Sequence, residues 1–186
     1  MDPIKYKTRK RHESPNHARM LNFACYRNRP FLRSDRACRW MIDAISRARQ
    51  AHQFRLWAFV IMPDHVHLLI WPRGTVPPIM QAIKQSVSRR AVSWTRKHAP
   101  EYLNRLAVTG PNGKVSYRFW QRGGGYDRNL WESVHIWEAI DYIHMNPVKA
   151  GLCDGPWDWP WSSAVGFQER GAGPVDLDLE TIPPRP

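Results

Sequence analysis

No stretch of this 186-residue chain approaches the roughly 20 consecutive apolar residues that a membrane-spanning helix requires. Met1–Arg11 is charged and lacks the apolar centre of a secretory signal, so the expected location is the cytoplasm. Cysteine is scarce. Cys25, Cys38 and Cys153 are odd in number and widely spaced, which excludes a disulfide framework and a zinc knuckle and leaves buried thiols. Internal repeats are absent, which excludes a solenoid. Acidic residues are also in short supply, 16 against 28 Lys and Arg.

The chain does have apolar residues at 42% of its length, ten of them Trp, enough for one domain with a true core. Its net charge of +12 is unevenly placed. Basic residues outnumber acidic ones 14 to 4 over 1–55 and 12 to 6 over 56–150; over 151–186 the balance reverses, 2 to 6. A polyanion is the natural partner, because lysines and arginines that displace counterions from phosphates gain sequence-independent affinity. The organisation expected is a basic flexible arm over 1–17, one domain over 18–164, and an acidic, Pro-rich tail over 165–186.

Periodicity supplies the elements. Arg19–Tyr26 alternates as a strand. Ser34 caps a helix to about Ala51, with Ala37, Trp40, Met41, Ala44, Ile45 and Ala48 at helical spacing. Arg55–Ile61 and His65–Trp71 read as a strand hairpin around Met62-Pro63-Asp64. Pro77-Pro78 opens a long helix; Asn104–Lys114 is loop-like; Val115–Trp120 reads as a further strand; Gln121–Asn129 is glycine-rich and flexible, with the glycines at 123–125 a candidate hinge. Ser133 caps a third helix expected to end near Asn146, before Pro147. The order predicts an α+β fold of the ferredoxin-like or RRM-like type: a βαββαβ antiparallel sheet with two helices on one face, plus an extra C-terminal helix. Such a fold hosts many functions, so side chains must decide.

Three groups carry chemistry. His65 and His67 are two apart on a strand and share a face, close enough to share a divalent ion; two histidines on a solvated sheet face fit the same pattern. Asp64 adjoins them as an assistant or as an ordinary turn residue. Tyr142 and Asn146 are four apart on a helix, beside the apolar stripe of Ile136, Ile140 and Ile143; an amphipathic tyrosine at the core edge is the alternative. Arg118-Phe-Trp-Gln-Arg122 interleaves cations with aromatics, suiting either phosphate contact and base stacking through Arg118, Trp120 and Arg122 or a strand with core aromatics. Arg9, Lys10 and Arg11 of the arm and Lys84, Arg89 and Arg90 of the long helix are further candidate phosphate contacts to nucleic acid. Trp157, Trp159 and Trp161 read as packing.

MPDHVHLLIWP, then YIHMNPVKAGL, then WDWPWSSA together resemble the single-tyrosine HUH transposases, and within them the REP-associated tyrosine transposases, relatives of small bacterial insertion-sequence transposases. The resemblance runs from about Leu21 to Ala164. It implies that His65, His67 and Asn146 bind Mg²⁺ or Mn²⁺ and that Tyr142 is the nucleophile. Insertion-sequence relatives often carry Gln where this chain has Asn146, a shorter arm with the same carbonyl oxygen. The implied substrate is single-stranded DNA beside a small hairpin, such as a repetitive extragenic palindrome (REP), and the protein would be nucleoid-associated. The implied reaction is cleavage and rejoining through a 5′-phosphotyrosine. Relatives act as monomers or homodimers, so Tyr142 can serve the histidines of its own chain or of a partner. The alternatives are a non-catalytic DNA or RNA hairpin-binding protein on the same fold, and a regulatory domain holding zinc on the two histidines.

Overall fold

The computed structural model describes residues 17–123 and 125–186. Strand β1 (Ala18–Ala24) is followed by helix α1 (Asp35–His52), strands β2 (Arg55–Ile61) and β3 (His65–Trp71), and helix α2 (Val76–His98). A short α3 (Leu103–Leu106) leads into β4 (Ala107–Thr109) and β5 (Val115–Tyr117); β6 (Tyr126–Leu130), α4 (Ser133–Lys149) and α5 (Ala164–Gln168) complete the chain. The main sheet has the order β2-β3-β1-β6, with every neighbouring pair antiparallel. This is the βαββαβ arrangement expected from the sequence.

Both faces of the sheet are covered, which explains why Leu56–Ile61 is apolar throughout and Val66–Ile70 is apolar but for His67, rather than alternating. Leu21, Phe23, Phe59, Leu68 and Ile70 face the stripes of α1 (Met41, Ile45, Ala48) and α2 (Ile79, Ile83, Val87). Met20, Val60, Leu69 and Leu130 face Ile136, Ala139, Ile140 and Ile143 of α4. Helix α1 starts where Ser34 Oγ accepts a hydrogen bond from the Ala37 N–H at 3.3 Å, and α2 starts with prolines at its first positions, where no backbone donor is missed.

Four expectations require correction. The fourth strand of the main sheet is Tyr126–Leu130, not Val115–Trp120; only Val115–Tyr117 of the latter is extended, and it pairs with Ala107–Thr109 in a separate exposed hairpin. Asn104–Lys114, read as loop, accordingly contains most of α3 and all of β4. β6 lacks apolar alternation because a buried ion pair specifies it: Arg19 Nε and Nη2 donate to Asp127 Oδ1 and Oδ2 at 2.7 and 2.6 Å. Gly125, at φ +78°, lets the chain enter β6 so close to β1 that a Cβ there would lie 2.0 Å from Asn22 O. It is a close-packing glycine rather than a free hinge. Finally, α4 does not stop before Pro147. It passes through it and ends at Gly151 (φ +66°), with Leu152 N–H bonding Pro147 O and Gly151 N–H bonding Val148 O. This is a Schellman ending, in which the glycine and not the proline is the stop.

The C-terminal residues close the outer edge of β2, which otherwise offers unpaired backbone groups. Ile61 N–H bonds Trp161 O, Ser163 N–H bonds Phe59 O, and Asp178 accepts from Leu56 N–H through Oδ2 while its Oδ1 pairs with Arg49. Ser163 Oγ donates to Phe59 O and accepts from Phe59 N–H, so His144 Nε2, at 2.8 Å, must be the donor of their bond. Burial lowers the His144 pKa to about 4. This neutral, buried strut ties α4 to β2.

Two outcomes follow. Gly125→Ala should destabilise the protein by about 2–4 kcal/mol, through left-handed strain and overpacking, and a urea titration with an unchanged midpoint would show the close approach to be unimportant. An unfolded histidine titrates near 6.5, above the folded value of His144. The strut's contribution is therefore complete above that pH and lost as pH falls toward 4, on the order of 3 kcal/mol in all. The urea midpoint should drop across that window in the wild-type protein, and drop less steeply in His144→Gln; parallel profiles would contradict this.

Candidate active site

The strand pairing sets one row of side chains across the α4 face: Val60 opposite His67, His67 opposite Asn22, Asn22 opposite Tyr126. His65 precedes His67 on the same face, and their ring centroids are 4.9 Å apart at 87°. The sequence expectation of two imidazoles side by side is thus realised at the start of β3.

The two imidazoles have different surroundings. His65 is partly exposed, and its Nδ1 lies 2.7 Å from Asp64 Oδ1. In the neutral ring that contact takes the Nδ1–H, which places the lone pair on Nε2, the arrangement in which a carboxylate orients a metal-binding histidine. Asp64 therefore has a definite partner in His65 while it also forms the turn before β3. His67 is 1% exposed, and neither of its ring nitrogens has a hydrogen-bond partner. Burial lowers its pKa to about 4, His65 pushes in the same direction, and the neighbouring Asn146 amide opposes weakly without reaching hydrogen-bond geometry. His67 is a neutral imidazole with a buried lone pair and a buried N–H, each costing about 1–3 kcal/mol if left unsatisfied.

α4 brings the phenol to this pair. Its apolar stripe faces the sheet, so Tyr142 falls at the edge of the contact, 44% exposed. The Tyr142 ring meets His67 of the same chain edge-on, with centroids 5.4 Å apart at 89°. Asn146, one turn on, donates from Nδ2 to Tyr142 O at 2.7 Å, which fixes the amide beside the histidine. Among the described residues no cluster of three or more His, Cys, Asp or Glu side chains could hold a metal. Two imidazole nitrogens and an amide oxygen are the donors available here. They fit a divalent ion in one specific respect: the orphaned, neutral His67 nitrogen is the kind of buried group that a cation satisfies.

A cleft of about 450 Å³ opens over the row, lined by His67 and Tyr142 with Asn22, Tyr126, Arg128, His135 and Glu138. Lys149 Nζ lies 5.6 Å from the centre of the Tyr142 ring. Sequence reading missed these residues. His135, Glu138, Tyr142, Asn146 and Lys149 recur at spacings of three and four, a polar helix face that periodicity alone could have revealed. Asn22, Tyr126 and Arg128 needed the strand pairing. A larger hollow, about 580 Å³, lies elsewhere, between the end of α1 and residues 173–178, and includes the Arg49–Asp178 ion pair.

The candidate DNA contacts have mixed placements. Arg9, Lys10 and Arg11 lie outside the described residues. Trp120 is corrected: it is 4% exposed, packed edge-to-face on Phe23 and Phe119, and donates from Nε1 to Lys84 O, so it is a core aromatic and not a base-stacking platform. Lys84 donates to Gly123 O at 2.9 Å, holding the glycine loop, and burial lowers its pKa. Arg90 pairs with Asp43 and Arg89 bonds Gln85, both on α2, which packs against the sheet face opposite the cleft. Arg118 stacks over Tyr26 at 5.5 Å and Arg122 is exposed. Trp159 and Trp161 pack as expected, Trp159 Nε1 donating to Ile61 O, while Trp157 is exposed.

The family description "Transposase IS200 like" matches residues 17–144. The REP-associated tyrosine transposase of Escherichia coli (strain K12) is 31% identical over 134 residues, 72% of this chain and 68% of that one. A Haemophilus influenzae protein that carries the same name provisionally is 27% identical over 162 residues, 78% of this chain and 86% of that one. The solved structure of a REP-associated tyrosine transposase bound to a REP hairpin superposes with a TM-score of 0.70 at 17% identity, covering 94% of this chain and 96% of that one, a likeness of fold. With the phenol and imidazole pair in one cleft, and with these matches, the chain belongs to the IS200-like transposase family, among the REP-associated tyrosine transposases.

Proposed function

We propose that this transposase is a metal-dependent single-stranded DNA endonuclease and strand transferase, with Tyr142 as nucleophile, acting beside hairpins of the REP kind. The observation that supports it most directly is the Tyr142 ring edge-on to the buried, unpartnered His67. A DNA phosphate in the cleft would meet both.

The chain's own groups divide the work. His65, oriented by Asp64, His67, and the Asn146 amide would hold Mg²⁺ or Mn²⁺. When bound, such an ion draws charge from a phosphate and aligns it for in-line attack. Tyr142 Oη attacks phosphorus, forming a Tyr–O–P bond as the bond from phosphorus to the 3′-oxygen breaks. The phenol proton ends, on balance, on the 3′-oxygen, leaving a 3′-hydroxyl and a 5′-phosphotyrosine. The new ester keeps the energy of the old one, so rejoining to another 3′-hydroxyl is the same step reversed and needs no ATP. A phenol is a weak nucleophile at neutral pH and depends on its surroundings. Here the Lys149 ammonium lies 5.6 Å from the centre of the Tyr142 ring, a cation beside the reacting group. Arg128 on the cleft wall suits a flanking phosphate.

Tyr142→Phe should abolish cleavage of labelled single-stranded oligonucleotides and the covalent adduct on denaturing gels, while hairpin affinity stays within about twofold. Full cleavage by the variant would remove Tyr142 from the role, and Tyr126, the second phenol of the cleft, would be the next to test. Absence of any adduct with wild-type protein would favour a non-catalytic hairpin binder. His65→Ala and His67→Ala should each reproduce the effect of EDTA on the wild type, a loss of at least about 10²-fold. Cleavage that persists in EDTA would refute the metal role.

A further inference from the structure

Behind the sheet, on the α1/α2 side, the segment Arg29–Ala37, the end of α2 and the Tyr102–Leu106 turn enclose a groove of about 460 Å³. Aromatic rings and guanidiniums line it. Arg36 lies 4.1 Å over the Trp94 ring, Trp40 sits 6.4 Å from Trp94, and Arg105 lies 4.6 Å over Tyr102, which is 47% exposed. Arg29 reaches across to donate to Arg105 O at 2.6 Å.

The groove carries cations that no carboxylate of the described residues neutralises. Arg19, Arg49, Arg90 and Arg185 are each paired with a carboxylate. Among the described residues no carboxylate pairs with Arg29, Arg36 or Arg105, and none lines the groove. A guanidinium stacked on a ring keeps its N–H groups in its own plane, pointing outward, available to phosphate oxygens. Exposed aromatic faces beside such cations accept unpaired bases irrespective of sequence. Base-paired DNA does not present its base faces, so a duplex cannot use the rings.

The groove also lies near the cleft. It begins on the loop that follows β1, and this loop is bonded to the turn before the imidazoles: Leu32 N–H donates to Pro63 O at 2.9 Å and Cys25 N–H to Asp64 O at 2.7 Å. Tyr26, flanked by the Arg27 and Arg118 guanidiniums at 5.2 and 5.5 Å, adjoins the same loop. A strand leaving the imidazole end of the sheet meets cations and rings on its way round the edge.

We infer that this groove is a second DNA-binding site, which takes unpaired nucleotides of the single strand flanking the reacting phosphate, with phosphates on Arg29, Arg36 and Arg105 and a base on Tyr102; Trp94, covered by Arg36 and by the stacked His98 ring at 5.0 Å, holds Arg36 in place. The inference rests on the DNA-cleaving reading for its ligand, but not on the nucleophile or the metal. It concerns how the single strand is held, and it assigns affinity to a face that the chemistry does not use.

The test is a fluorescence-anisotropy titration of full-length protein with end-labelled dT20, which has no hairpin, and with a blunt hairpin lacking single-stranded flanks. The double variant Arg36→Ala with Arg105→Ala removes exposed side chains and leaves the core intact. It should bind dT20 at least about tenfold more weakly and the blunt hairpin within twofold of wild type. Photocrosslinking of a 5-iodouracil dT20 to wild-type protein should map to Tyr102. Unchanged dT20 affinity together with crosslinks elsewhere overturns the inference, as does equal loss for both ligands. So does an acidic peptide that competes dT20 off with higher affinity, which would make the groove a protein-docking site. If wild-type protein cuts nothing but the double variant loses dT20, the groove stands and the catalytic reading falls. If cleavage is intact and dT20 binding is unchanged in the double variant, the catalytic reading stands and the groove falls.

Discussion

The seam between α4 and the sheet governs everything at the cleft. Ile136, Ala139, Ile140 and Ile143 bury themselves with Met20, Val60 and Leu69, and each large side chain so buried contributes about 1.5–3 kcal/mol. At 100° per residue, that choice of buried stripe leaves Tyr142 no freedom of address: it must sit on the rim of the seam. His67 is on the facing strand at the end of the same seam. The phenol and the imidazole therefore meet as a by-product of core packing. The His144–Ser163–Phe59 hydrogen bonds lock the rotation of α4 against β2, which holds the rim position against a turn of the helix.

Burial then divides the histidines. The same apolar wall that positions Tyr142 excludes water from His67 and keeps it neutral, while His65, nearer the solvent, is steered by a carboxylate. A pair of identical residue types thus becomes one dry, unpartnered ring and one oriented ring. The charge of the protein is arranged on a larger scale. Its excess cations are spread over α1, α2 and the loops, and several of the most conspicuous are consumed internally, Lys84 on the glycine loop and Arg90 on Asp43.

Much of this was legible in the sequence, for identifiable reasons. α1, α2, β2 and β3 bury continuous stripes, so periodicity found them. His65 and His67 are local to one strand, and Tyr142 and Asn146 to one helix turn, so spacing placed each pair on one face, while the chemical roles expected of them came from the resemblance. β6 was missed because nonlocal contacts specify it: an ion pair to Arg19, 108 residues away, and a glycine that packs on Asn22. Trp120 was misplaced for a related reason. A short run of arginines and aromatics has the same composition whether its rings point to solvent or to Phe23, and only the bridge between Cys25 and Trp120 decides. The end of α4 was set by Gly151 because a Schellman turn satisfies the last carbonyls better than a proline break would.

The acidic C-terminal residues have a consequence for how such a domain can be shortened or extended. Asp178 closes the outer border of β2 by satisfying the Leu56 amide and carbonyl, and Thr181 accepts from the Trp57 indole. A chain truncated before this point would present a bare hydrophobic ribbon to its neighbours. Loss of these residues would then register first as self-association on concentration, and only afterwards as a change in chemistry.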